Sequence, residues 1–239
     1  ARQVYEWLYR KKVKNFDEYK SSLEKAFVII DIEERKKIIK SQALKFEKEN
    51  GFTIQLDSGL LDTVANLVEY PYGIVGSFDE EFLQLPNEVL VTSMKVHQKY
   101  FPIEKDGKLI NKFFAISNMK SDTGDELIRQ GYERVLRARL NDANFFFKND
   151  RLVPLLSRVE ALKKVVYQEK LGTSYEKMER FKSIALWLDS YLNLNKNTTI
   201  SEVALLSKAD LMSEMVYEFP ELQGLMGSYY AFFEGKEES

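Results

Sequence analysis

The 239-residue chain contains no cysteine and a single histidine, His97. The first absence excludes disulfides, thiol nucleophiles and thiolate metal sites, and the second excludes any site built from several imidazoles. Long apolar runs are missing too: nothing approaches the roughly 20 residues that a membrane span requires, and the opening ARQVYEWLYRKK has no signal-peptide core. No membrane partner and no bound metal are expected. What the chain does have is 44% hydrophobic and 13% aromatic residues, enough for one large domain or two small ones. A folded, soluble, cytoplasmic protein is the expectation.

The net charge of -2 conceals an uneven distribution. Residues 1–50 hold 13 Lys+Arg against 9 Asp+Glu, residues 51–118 hold 5 against 9, residues 119–185 hold 14 against 10, and residues 186–239 hold 3 against 9. A weakly acidic total therefore leaves room for a polyanionic partner, because phosphate binding depends on local basic surface.

One arginine-rich stretch is GYERVLRARLNDANFFFKND, residues 131–150, with Arg129 just before it. Val135, Leu136, Leu140, Ala143 and Phe147 recur at the offsets of one apolar helix face, which predicts an amphipathic helix. Arg134, Arg137 and Arg139 then project from its sides and back. Two readings stay open. The arginines pair with Glu133, Asp142 and their neighbours on a solvated face, or they form a phosphate-binding surface, for which the bidentate guanidinium is suited.

Punctuation and period divide the rest. FVII reads as a short buried strand, followed by Asp31 as N-cap of a helix that ends at Asn50-Gly51. FTIQLD reads as a second strand, with Asp57 or Ser58 capping the helix that follows, and YGIVGSF as a third. LPNEVLVTSMKVHQ reads as a helix with Pro86 in its first turn, and Asp106-Gly107 as a hairpin turn. Beyond Asn118 the strand signal vanishes. The predicted fold is α+β, with an α/β domain over residues 1–118, a connecting basic amphipathic helix over 119–150, and an all-helical domain over 151–239. Both domains are expected to be truncated, since Ala1 opens in charged helical sequence and the chain stops on an acidic tail just after an aromatic cluster.

Four separated stretches carry a family resemblance: LPNEVLVTSMKVHQKYFPIEKDGKL, ERVLRARLNDANFFFKND, LKKVVYQEKLGT and SKADLMSEMVYEFPELQGLMGSYYA. Together they resemble the β subunit of bacterial heterotetrameric glycyl-tRNA synthetase, in the same order from about residue 28 onward. The resemblance implies an interior piece of that subunit, with a B3/B4-like α/β domain followed by a helical domain related to HD proteins. It also implies an α2β2 glycine-tRNA ligase in which the α subunit uses ATP, with Mg, to attach glycine, and the β subunit recognises tRNA(Gly). The implied partners are the α subunit, tRNA(Gly) and the remainder of the β subunit. This chain has no glycine-rich phosphate loop and no class II catalytic arginine motif, so no catalytic residue and no cofactor of its own is expected.

The resemblance favours the phosphate reading of the basic helix. The expected tRNA-binding set is Arg129, Arg134, Arg137 and Arg139, with Lys163 and Lys164 on the next helix and His97 and Lys99 beside Tyr100 and Phe101. A scaffold module that joins subunits without touching RNA is the alternative. The HD kinship raises metal-dependent hydrolysis, which needs several histidines and aspartates around divalent ions. Here VALLSKADLM places Ala209-Asp210 where a His-Asp pair belongs, and Lys177 stands near the position of a first histidine. Asp210 is therefore read as structural, capping or pairing with Lys208. The B3/B4 kinship raises editing hydrolysis around His97 and Lys99, though size sieving separates little when the cognate amino acid is glycine. In YEFPELQG, Glu218 and Glu221 bracket Pro220 without a nucleophile nearby in sequence, and helix capping or packing is the expectation there.

Overall fold

The computed structural model describes residues 16–118, 120 and 124–236, so the element expected at ARQVYEWLYRKK lies outside them. The fold is mixed helix and sheet and divides into two compact units, residues 1–140 and 141–239.

In the first unit, helix α1 (Phe16–Glu24) precedes α2 (Ile32–Asn50). Asp31 caps α2 by accepting the Glu33 N–H at 2.9 Å, and Gly51 ends it in the left-handed region at φ 66°. Between the two helices, FVII is not a strand. Two of its carbonyls are taken by a side chain instead: Arg35 donates to those of Ile29 (2.5 Å) and Ile30 (3.1 Å), and also to the carbonyl of Ala65 (2.8 Å). A backbone whose acceptors are satisfied in this way has no need of a ladder.

Strand β1 (Thr53–Ile54) leads to α3 (Ser58–Leu67), whose N-terminus Asp57 caps through the Leu60 N–H at 2.8 Å. Strand β2 (Tyr72–Ser77) and helix α4 (Asn87–Thr92), extended by a π-type turn over Ser93–Gln98, precede the hairpin β3 (Phe101–Lys105) and β4 (Lys108–Ser117). Its turn places Asp106 and Gly107 at φ 52° and 74°, the doubly positive conformation that Asp-Gly favours. The four strands form an antiparallel sheet in the order β1-β3-β4-β2.

Side chains alternate along β4, so adjacent phenylalanines serve opposite faces. Phe114 joins Ile39 and Ala43 of α2 and Leu61 and Val64 of α3 in one buried cluster. Phe113 stacks on Tyr100 at 4.7 Å between ring centroids, and Tyr100 meets Tyr132 at 5.4 Å. Two β2 glycines accommodate these rings: a Cβ at Gly73 would lie 2.5 Å from the Phe114 ring, and one at Gly76 would lie 2.4 Å from the Phe113 ring.

Helix α5 spans Glu126–Asp150, and the division between units falls within it. The second unit continues with α6 (Leu155–Arg158), a 3-10 turn (Val159–Lys164), and a short hairpin of β5 (Val166–Gln168) and β6 (Gly172–Thr173). That hairpin corrects the all-helical expectation. Gln168 accepts the N–H groups of Lys170 (2.7 Å) and Leu171 (2.9 Å) through its side chain, and Gly172 turns the chain at φ 84°. Thr173 and Glu176 then form a capping box that starts α7 (Ser174–Leu192). Helix α8 (Asn197–Leu206), a 3-10 turn (Ala209–Met212), α9 (Glu214–Glu218), a turn at Pro220–Leu222 and α10 (Leu225–Phe233) complete the unit. Among the described residues, no helix is long and apolar enough to cross a membrane.

Candidate nucleic-acid interface

The basic stretch is helical throughout, and the apolar stripe buries Leu136, Leu140, Ala143 and Phe147. Val135 is exposed. Phe145 is also largely exposed and Phe146 half-buried, so only Phe147 of the three phenylalanines is a core residue.

The arginines differ in what they hold. Arg129 pairs with Glu126 one turn earlier. Glu126 titrates below the usual carboxylate range, first because Gln130 donates to it and then because of Arg129. Arg137 reaches Asp79, its Nε 2.9 Å from Oδ2 and its Nη2 3.5 Å from Oδ1. Neither partner is one that the local sequence suggested. Glu133 is occupied elsewhere: it accepts the Ser77 N–H at 2.9 Å and tethers the helix to the end of β2. Arg139 is half-buried and engaged with its surroundings. Arg134 is exposed and has no ion-pair or hydrogen-bond partner among the described residues.

Lys163 and Lys164 lie in the second unit, on the 3-10 turn rather than on a long helix. Lys163 is 2.7 Å from Glu160, whose hydrogen bond raises the lysine pKa, and its ammonium sits 4.6 Å from the Tyr175 ring centroid. Lys164 is exposed without a described partner. In the first unit, His97 lies half-buried in the π-type turn and makes contacts of its own. Lys99 is the C-cap. Its backbone adopts φ 60°, its N–H donates to Met94 and its ammonium donates to the Val96 carbonyl at 2.7 Å. A lysine turned back on its own helix terminus complements the carbonyl end of the dipole.

Asp210 is buried and accepts the backbone N–H groups of Gly224 and Gly227 at the start of α10. Burial, the largest effect, raises its pKa, while those donors and the Lys208 charge oppose the rise. It is a helix-capping carboxylate. No group of three or more His, Cys, Asp or Glu able to hold a metal occurs among the described residues.

Sequence reasoning missed a buried ionic knot in the second unit. Asp150 and Arg158 are both buried and 3.1 Å apart. Asp150 also accepts the N–H groups of Glu214 (3.0 Å) and Met215 (2.9 Å) and the Tyr230 hydroxyl (2.9 Å). Arg158 donates to the carbonyls of Met212 (2.9 Å) and Asp150 (2.8 Å). Every pairing joins segments that the sequence separates, and no local pattern marks them.

Comparison with known proteins gives one consistent result. The family described as glycyl-tRNA synthetase beta subunit matches residues 5–239. The chain is 50% identical over 226 residues to the glycine--tRNA ligase beta subunit of Geobacter sulfurreducens, an alignment covering 94% of this chain and 33% of that protein. It is 49% identical over 226 residues to that of Trichlorobacter lovleyi, with the same coverage, and 46% identical over 227 residues to that of Syntrophotalea carbinolica, covering 95% and 33%. The chain thus spans about a third of the length of the curated relatives it matches.

Proposed function

Since the chain belongs to the glycyl-tRNA synthetase beta subunit family, we propose that it helps to hold tRNA(Gly) while a catalytic α subunit attaches glycine with ATP and Mg. The observation that carries this reading is the family match over residues 5–239. In this reading the chain contributes no catalytic group and binds no cofactor itself. It works in the cytoplasm beside the α subunit and the remainder of the β subunit. Residues 1–118 are a B3/B4-like domain, residues 119–150 a basic connecting helix, and residues 151–239 an HD-like domain that has lost its metal chemistry. Ala209 and Asp210, where a His-Asp pair is expected, support that loss.

Within the basic set, Arg134 and Lys164 are the leading phosphate contacts, being exposed cations without described partners. Arg129, Arg137 and Lys163 support them, since exposed ion pairs are worth only about 0–1 kcal/mol and a phosphate can replace the carboxylate. The pairs of Arg129 with Glu126 and of Arg137 with Asp79 favour the alternative, a scaffold that joins subunits without RNA contact.

The test is charge reversal in the whole assembly. Arg134→Glu is expected to weaken tRNA binding whatever the base sequence and to flatten its salt dependence by about 0.7–0.9 in the log-log slope per lost contact. Unchanged affinity and slope for Arg134→Glu and Lys164→Glu, with glycylation intact, would leave the scaffold reading standing.

A further inference from the structure

Helix α7 buries one side and leaves an apolar stripe exposed on another. Met178 and Asp189 are buried on the inner face, where Asp189 accepts the Lys196 N–H at 2.9 Å and holds the start of α8. On the outer side, Ile184, Trp187, Leu188 and Tyr191 recur at the three- and four-residue spacing of one helical stripe. Leu192 and Leu194 extend it at the helix end. All six are exposed, Tyr191 at 70% and Trp187 at 62%. Trp187 and Tyr191 stack on each other, their centroids 5.4 Å apart at an interplanar angle of 14°. Singly exposed apolar residues are ordinary, but a continuous stripe containing a tryptophan and a tyrosine marks an interface.

Charge distribution indicates what kind of interface. In residues 183–195, SIALWLDSYLNLN, the only charged residue is Asp189, and it is buried. The outer face of this half of the helix therefore carries no charge. Interfaces that open and close keep a polar, often charged rim, whereas permanent ones resemble a domain core cut in half. The aligned stretch is 33% of each relative, so two thirds of their length lies outside it. We propose that the Ile184–Leu194 face is a permanent intrachain seam, covered by the part of the β-subunit polypeptide outside this matched third. The proposal rests on the family reading but not on tRNA contact.

Hydroxyl-radical footprinting of the full-length β subunit, read by mass spectrometry, tests it. The subunit is labelled alone over a range of concentrations, with the α subunit, and after denaturation. Labelling of Trp187 and Tyr191 in the subunit alone is expected to fall from the denatured level to that of Tyr230, which is 3% exposed. Labelling that stays at the denatured level would overturn the proposal. Protection that appears only with the α subunit would assign the face to that partner, and protection that grows with concentration would assign it to a second copy. Both outcomes overturn the intrachain seam. Tyr191→Lys gives a second reading: the full-length subunit is expected to melt at a lower temperature, whereas an uncovered face would tolerate the lysine. Neither measurement depends on RNA, so failure of the tRNA reading is seen separately in the Arg134→Glu binding curves.

Discussion

Replacing Asp150 by asparagine removes one charge and almost no volume, and it strikes a buried carboxylate of the second unit. Four donors converge on that side chain: Arg158 at 3.1 Å, the backbone N–H groups of Glu214 and Met215 at 3.0 and 2.9 Å, and the Tyr230 hydroxyl at 2.9 Å. An asparagine offers one oxygen acceptor, and its amide NH2 would face donors where a carboxylate oxygen accepted them. Arg158 would remain buried, held by the Met212 and Asp150 carbonyls without a counter-charge. Breaking a buried pair from one side costs about 3–5 kcal/mol. That is a large share of the roughly 5–15 kcal/mol that stabilises a whole domain. At roughly 4–8 °C per kcal/mol for a domain of this size, melting of the second unit should fall by roughly 12–40 °C. Arg158→Met should cost less, because Asp150 would keep three donors and its place at the N-terminus of α9. Urea denaturation followed by circular dichroism measures both variants, and the double mutant gives their coupling. If Asp150→Asn lost less than about 0.5 kcal/mol, the value of an ordinary surface change, the knot would not be the anchor of this unit.

Gly76→Ala should destabilise the first unit by about 1–3 kcal/mol, because the added Cβ would meet the buried Phe113 ring at 2.4 Å and that ring is stacked on Tyr100; equal melting temperatures for variant and parent would show that the ring moves aside without cost. High pH should weaken the second unit through Tyr230, whose pKa is raised above 10.0 by burial first and by the Asp150 charge second. The protonated hydroxyl is the form the fold prefers, so its contribution is complete below the unfolded pKa of about 10 and lost as pH rises through the folded value. Stability measured from pH 9 to pH 11 should therefore fall, and Tyr230→Phe should abolish that part of the decline; an identical decline in the variant would place the titrating group elsewhere.

What could be read from the sequence is what local chemistry decides. Asp31, Asp57 and Gly51 are caps because a helix end needs acceptors or a left-handed residue within a few positions, and Asp106-Gly107 makes a hairpin for an equally local reason. FVII is not a strand, and Arg35 takes the Ile29 and Ile30 carbonyls that a ladder would have used, a bond β-propensity does not foretell. The β5–β6 hairpin was hidden because Val165, Val166 and Tyr167 follow a helical period, and only the Gln168 turn and Gly172 separate them from α7.

The basic helix shows where such reading ends. Its period identified Leu136, Leu140, Ala143 and Phe147 as the packed face, but wrongly included Val135, which is exposed. The same period could not say which arginines remain available to a phosphate, because that depends on what other segments present to them. Asp79 comes to Arg137 from 58 residues away, and Ser77 draws off Glu133, the local acid that the sequence offers to an arginine. Arg134 is left exposed while Glu126 pairs with Arg129, Asp79 with Arg137, and Glu133 with the sheet. A substitution at Asp79 would therefore act on the helix at a distance. Asp79→Asn should release Arg137 from its ion pair, and tRNA affinity in the assembled enzyme should hold or rise if that arginine faces phosphate. A fall in affinity with unchanged melting would mean that the pair positions the helix and that Arg137 serves the RNA only through Asp79.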